Sequence, residues 1–231
     1  ICNNAGEANS NRAISHVTWR DIVVWCNAYS EKNSLKPVYY TDASFTTVLK
    51  TSTNDAANTT MGTQDNPYIC QFADGYRLPT EAEWEFAARG GDPTQPDWSF
   101  IYAGSNNIDE VAWYSGNSPD WNLVYVHEVG HRNPNRLGLY DMSGNVYEFC
   151  SDEYSYPISW TDGVANPLTI SSSGIKVGKG GWKGNDAGAM QVNNRLNRYA
   201  SWSAEVGFRI ARNIGSVVGR RGYGNGFIFY D

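Results

Sequence analysis

Apolar residues recur at three- and four-residue steps in two stretches of this 231-residue chain. The first holds Trp19, Ile22, Val23, Cys26 and Tyr29, the spacing of one helical face. Thr18 and Asp21 make an approximate capping box at its start, so a helix is predicted over about 18–32. The second is Arg77-Leu78-Pro79-Thr80-Glu81-Ala82-Glu83-Trp84-Glu85-Phe86-Ala87-Ala88-Arg89-Gly90-Gly91. Here Thr80 is the N-cap, Glu83 its capping-box partner, Arg89 the basic residue of the last turn and Gly90 the stop, which predicts a helix over 80–89. Between them, Pro37 ends the first helix and Val38-Tyr39-Tyr40-Thr41 reads as a short strand. Residues 50–66 are polar throughout and suit a long surface loop.

Beyond Gly91 no helical period of useful length recurs, and short apolar pieces alternate with Gly, Asn, Pro and Ser. Irregular chain and short strands are predicted there. In the tail, Val217-Val218 and Phe227-Ile228-Phe229-Tyr230 read as a final hairpin, with Arg220 and Arg221 on a solvated edge. Neither a repeat of solenoid length nor a linker divides the sequence, so one domain over residues 1–231 is expected.

Composition narrows the function classes. A formal charge of −6 supplies no basic field for phosphates or an anionic membrane, so nucleic acid is not expected as a partner. No stretch approaches the roughly 20 apolar residues that span a bilayer. The opening Ile1-Cys2-Asn3-Asn4 is polar and lacks an initiator Met, which is expected not to be the gene's own start and leaves room for an upstream signal or anchor. Trp 9, Tyr 15 and Phe 8 together make 14% of the chain beside 23 Gly and 18% charged residues, an aromatic and loop-rich balance common in surface-binding domains.

Cys2, Cys26, Cys70 and Cys150 are widely spaced, with no C-x-x-C metal pattern, and their pairing stays open. Cys26 and Cys150 read as buried small hydrophobes. His127-Glu128-Val129-Gly130-His131 spells the zincin motif H-E-x-x-H, whose two His must lie one helical turn apart. The β-favouring Val124-Tyr125-Val126 before it, Gly130 within it and Pro134 after it argue against that helix, and the zinc reading is rejected.

Four segments occur together: Val24-Trp25-Cys26-Asn27-Ala28-Tyr29-Ser30-Glu31, the Arg77 to Glu85 block, Gly138-Leu139-Tyr140-Asp141-Met142-Ser143-Gly144-Asn145-Val146-Tyr147-Glu148-Phe149-Cys150-Ser151-Asp152, and Gly180-Gly181-Trp182 followed by Gly207-Phe208-Arg209. In this order they resemble the formylglycine-generating-enzyme (sulfatase-modifying factor) superfamily over roughly residues 15–212. The resemblance implies an α+β fold with a C-type-lectin-like core, two helices, small antiparallel sheets and much irregular chain. An N-terminal strand usual in that family is missing or very short here. Oxidase members carry a copper-binding cysteine pair between the Gly-Gly and Gly-Phe-Arg motifs, and residues 180–209 contain no Cys. Without a thiolate that chemistry has no carrier, and the histidine-rich motif of the related sulfoxide synthases has no counterpart beyond a solitary His16.

By resemblance, Asp141, Gly144, Val146 and Glu148 match a family calcium site of two side-chain carboxylates and two backbone carbonyls. The competing reading is a tight turn in which Asp141 and Glu148 cap backbone groups. Residues 182–205 resemble the variable segment of proteins diversified by retroelements. Leu196, Asn197, Arg198, Tyr199, Ser201, Trp202 and Ala204 then correspond to diversified ligand-binding positions, Trp182, Lys183, Asn185 and Asp186 to an upstream group, and Asn193-Asn194-Arg195 to framework. The alternative is that Trp182, Tyr199 and Trp202 are core aromatics. The expectation is a non-catalytic binder of a protein or other surface ligand, at the cell surface or secreted. A divergent oxidoreductase and a lectin-like adhesion module of fixed specificity are the alternatives.

Overall fold

The computed structural model describes residues 11–119, 126–156, 167–169, 173–213 and the backbone of a strand at 227–230. Among the described residues there are three α-helices: α1 (Trp19–Lys32), α2 (Glu81–Ala88) and a single turn, α3 (Ile108–Val111). The strands are β1 (Tyr39–Tyr40), β2 (Tyr68–Ile69), β3 (Tyr76–Arg77), β4 (Ala112–Trp113), β5 (Ser143–Gly144), β6 (Tyr147–Glu153), β7 (Ile175–Lys179), β8 (Leu196–Tyr199), β9 (Val206–Gly207), β10 (Ile210–Asn213) and β11 (Phe227–Tyr230).

Both predicted helices form where their caps place them. In α1, Thr18 Oγ1 accepts from the Asp21 N–H at 3.0 Å, and Asp21 Oδ2 accepts from the Thr18 N–H at 3.1 Å. In α2, Thr80 and Glu83 exchange the same pair of bonds. Each cap satisfies donors that the helix cannot, worth about 1 kcal/mol. Trp19, Ile22, Val23 and Cys26 turn into the larger core with Tyr39, Leu78, Phe149 and Val206. Trp84, Ala87 and Ala88 of α2 join Met142, Cys150 and Val177 in a second cluster.

Asn27 fixes α1 to the chain that follows. Its amide nitrogen donates to the carbonyls of Tyr39 and Leu49, and its oxygen accepts from the N–H groups of Val38 and Tyr39. Four main-chain groups that burial would otherwise orphan are satisfied by one side chain.

The central sheet has the order β8-β7-β6-β9, with β6 and β9 parallel and the other pairs antiparallel. Every residue of β6 is buried. A second sheet runs β11-β10-β3, so the tail does return as a strand. Its partner is β10, whose Ala211 opposes Phe229, and the expected partner Val217-Val218 lies outside the described residues. Beyond Gly91 the described residues depart from the predicted absence of helix by α3 and two 3₁₀ turns, Pro96–Ser99 and Ala187–Met190.

Three of the sequence motifs meet on one buried carboxylate. Glu148 of β6 takes Arg209 in a fork, Nε to Oε2 and Nη2 to Oε1, both at 2.7 Å. Trp84 Nε1 of α2 donates to the same Oε2 at 2.6 Å. Alongside, Glu81 receives Arg195 through Nε at 2.6 Å and Nη2 at 2.8 Å, with Lys179 Nζ at 3.8 Å. The polar side of α2 is thereby bolted to the sheet through ions held out of water, where losing one partner is far more costly than at a surface.

Candidate functional site

The segment expected to bind begins after β7, where Gly180 and Gly181 adopt φ of +87° and +82° and turn the chain sharply. Trp182 follows, half-buried against the larger core, with its indole laid over Gly184. A Cβ at Gly184 would sit 2.0 Å from that ring, so the close approach requires glycine. Asn185 closes the turn: its Oδ1 accepts from the Trp182 N–H at 3.1 Å, and its carbonyl accepts from the Ser115 N–H. Asp186 is exposed and caps the next turn through bonds from the Gly188 and Ala189 N–H groups.

Lys183 corrects the expectation. It is 2% exposed, so no ligand at the surface reaches it, and it belongs to the framework instead. Of the expected framework run Asn193-Asn194-Arg195, the first is exposed, while Asn194 Nδ2 donates to the Ala189 carbonyl and Arg195 holds Glu81 and the Ser155 carbonyl.

The character of the chain changes at the next residue. Along β8, Leu196 and Arg198 are half-buried while Asn197 and Tyr199 are exposed, the period-two alternation of a strand with one open face. Leu196 packs on the larger core. Tyr199 is 58% exposed, Trp202 40%, and Ser201 is exposed between them. Ala204 is half-buried, and its carbonyl accepts from Trp202 Nε1 at 2.8 Å, which orients the indole. Arg198 lies 5.1 Å from the Trp202 ring centroid, a cation over an aromatic face. The reading of Tyr199 and Trp202 as core aromatics therefore fails, whereas Trp182 is partly of that kind.

Burial pushes the Tyr147 phenol above its ordinary range, Arg198 opposes that shift, and Glu205 and Asp186 add to it.

The positions matched to calcium are otherwise engaged. Both Glu148 oxygens accept from Arg209, and the guanidinium supplies the positive charge that a calcium ion would bring. Asp141 Oδ2 accepts from the Gly130 N–H at 2.8 Å, as in the backbone-capping reading. The Gly144 carbonyl accepts from the Val146 N–H at 2.9 Å. As arranged, the Glu148 carboxylate and the Gly144 carbonyl are taken by the chain's own donors, whereas a calcium cage needs several oxygens free to converge.

The H-E-x-x-H stretch is not helical. Glu128 bridges Arg12, Gly130 has φ +76°, and the His127 ring stacks on Trp113 at 4.0 Å. Cys26, Cys70 and Cys150 are buried free thiols, and Cys2 lies outside the described residues. Burial pushes the Cys26 and Cys150 thiols well above their ordinary values, which withholds the reactive thiolate.

Sequence reasoning missed an apolar strip on the far side of α1. Trp25 is exposed and stacks on Tyr29 at 4.8 Å and against Phe208 at 5.4 Å. Clefts of about 390 and 450 Å³ flank it, sharing Ile14, Trp25 and Phe208. The available signal was Trp25 itself, a large aromatic off the apolar face of its helix. Residues 182–205 line neither cleft.

These features place the chain in a known class, and comparison with known proteins agrees. Residues 2–214 match the family described as the sulfatase-modifying factor enzyme 1-like domain, and the chain belongs to that family. The solved structure of Treponema denticola variable protein 1 superimposes with a TM-score of 0.70 at 29% identity, over 89% of this chain and 73% of that one. The "Chaperone protein LppX" of Paenibacillus barcinonensis is 42% identical over 168 residues, 67% of this chain and 57% of the relative. A formylglycine-generating enzyme of Thermomonospora curvata is 34% identical over 46% of this chain and 38% of its own length. The chain thus spans less than two thirds of these two relatives. Among the described residues no helix is long and apolar enough to cross a membrane.

Proposed function

We propose that this chain is a non-catalytic binding module on the formylglycine-generating-enzyme scaffold, displayed at a cell surface or secreted, whose segment 196–204 is diversified to bind varied protein or other surface ligands. The observation that carries this reading is the abrupt change at Arg195. Asn194 and Arg195 are tied to the scaffold, and beyond them Asn197, Tyr199, Ser201 and Trp202 face solvent while Leu196 and Ala200 pack on the core. Asn, Ser, Arg, Tyr and Trp are the residue types of adaptable paratopes, in which rigid rings give contact area at small entropic cost. The likeness to a variable protein supports the reading. The missing thiols count against the oxidase alternative, since every described cysteine is buried and none lies between residues 180 and 209.

The deciding test is to sequence the encoding locus from many independent isolates. Variation at codons 196–204 with a fixed Gly138 to Asp152 block, beside a near-copy carrying adenines at the varying positions, is expected. Uniform codons and no near-copy would leave a fixed adhesion module or a divergent enzyme, which metal analysis of the purified protein separates. A second reading takes its cue from the name of the Paenibacillus relative: the apolar strip of Ile14, Trp25 and Phe208 would hold unfolded clients. Suppression of client aggregation that disappears in Trp25→Ala would favour it.

A further inference from the structure

β8 is the first strand in its sheet, paired with β7 on one side and with no described strand on the other. In an antiparallel ladder, successive residues turn their N–H and C=O groups alternately towards the partner and away from it. Two contacts fix the phase here. The Ala200 N–H donates to the Gly174 carbonyl at 3.1 Å, and the Ile175 carbonyl is taken from the other side by the Tyr154 N–H at 2.7 Å. Ile175 opposes Tyr199, Lys176 opposes Arg198 and Val177 opposes Asn197. The main chain of Arg198 therefore faces β7, and the main-chain groups of Asn197 and Tyr199 face outwards.

The two outward carbonyls are already occupied. Arg198 Nη1 donates to the Asn197 carbonyl at 2.9 Å, and the Trp202 N–H donates to the Tyr199 carbonyl at 2.9 Å. Arg198 Nε, shielded from solvent, finds no acceptor among the described residues. An ordinary free edge offers donors and acceptors in turn and templates any strand. This one presents donors, two residues or ~6.8 Å apart.

We propose that the outer edge of β8 docks an extended segment of a protein partner, whose main-chain carbonyl oxygens accept from the N–H groups of Asn197 and Tyr199. The inference rests on the binding-face reading and adds to it a component that diversification does not touch, because these donors belong to the backbone whichever side chains occupy residues 196–204. In this sequence the occupied carbonyls, one of them held by the Arg198 side chain, select the partner's chemistry. A segment with proline at alternate positions offers carbonyls without the N–H groups this edge has no free acceptor for. Its rings pack on the exposed faces of Tyr199 and Trp202, as in other recognition of proline-rich extended chains.

The probe is a nine-residue peptide alternating proline and alanine, titrated into the ¹⁵N-labelled chain. The expected result is saturable shifts largest at the Asn197 and Tyr199 amides. Asn197→Pro is then compared with Asn197→Ala. Both delete the side chain, but only the first deletes the outward N–H, and proline is tolerated where an edge N–H faces solvent. Binding at least five-fold weaker for Asn197→Pro than for Asn197→Ala is expected, with the Arg198 amide still protected from exchange in both. Tyr199→Pro against Tyr199→Ala repeats the comparison if that protection is lost. Equal affinities for the proline and alanine variants, both below the native chain, would overturn the edge while leaving the side-chain binding face intact. No shift at millimolar peptide, or shifts confined to Trp25 and Phe208, would overturn it as well.

Discussion

Arg195 and Arg198 stand three residues apart and belong to different mechanical worlds. Arg195 reaches inward, holding Glu81 through two bonds and lying over the Tyr154 ring. Arg198 reaches along the surface, meeting its neighbour's carbonyl and the Trp202 face. The same side chain is thus a structural bolt at one position and part of a contact surface at the other. What differs is whether a buried carboxylate waits for it, and that depends on residues more than a hundred positions away.

The comparison breaks most visibly at the bolts. Arg209→Ala strips the partner from Glu148, which is 5% exposed, and should cost about 3–5 kcal/mol in chemical denaturation. Arg195→Ala leaves Glu81 with Lys179 still near, so a smaller loss of about 2–3 kcal/mol is expected by the same measurement.

Asp152 adds a pH dependence to the bolted region. Burial raises its carboxyl to about 7, with Glu81 and Glu83 beside it adding to the rise, although N–H bonds from Thr169 and Glu81 oppose it. The folded chain then keeps a proton that the unfolded chain releases near the ordinary value of 3.8. This contribution to stability is fully present below 3.8, declines as pH rises through the window, and levels off above about 7. The slope should stay below about 1.4 kcal/mol per pH unit, the limit for a single proton bound in one state and not the other. Denaturation of the native chain and Asp152→Asn between pH 4 and 8 checks it: the difference between the two should drift with pH in the native chain's disfavour.

At the other extreme, Asn197→Ala, Tyr199→Ala and Arg198→Ala should each change stability by no more than about 0.5 kcal/mol, with binding affected instead. A loss above about 2 kcal/mol at Tyr199 would make it a scaffold residue and erase the contrast. Calcium is expected to have the smallest effect, with no resolvable change in Tm on adding the ion or a chelator. Stabilisation near 2.7 kcal/mol, as ligand at about 100 times its Kd gives, would mean that Arg209 yields Glu148 to the ion.

The two helices were legible because their signals are local: caps, first-turn acids and a glycine stop all lie within a dozen residues. The resemblance set the residues after Arg195 apart as a segment, and Asn197, Tyr199, Ser201 and Trp202 are exposed there. Lys183 was assigned to the upstream group by resemblance alone, and only the tertiary packing that encloses it sets it apart. Glu148 was matched to calcium by the same resemblance, which gave no sign of its arginine. Its partner lies 61 residues further on, and no periodicity links two members of a long-range ion pair. The outward donors of β8 were invisible in sequence, because they depend on register and carry no residue-type signal.

The clamp between Arg195 and Glu81 has a consequence for heredity as well as for folding. Change confined to the outward-facing Asn197, Tyr199, Ser201 and Trp202 is expected to be insulated from the core, whereas Leu196 and Ala200 pack into it. Under the proposed function, a lineage would explore many surfaces without first accumulating compensating changes elsewhere. In the laboratory, the same arrangement makes positions 197, 199, 201 and 202, with Ala200 held fixed, a place to install a randomised library whose members melt within a few degrees of one another.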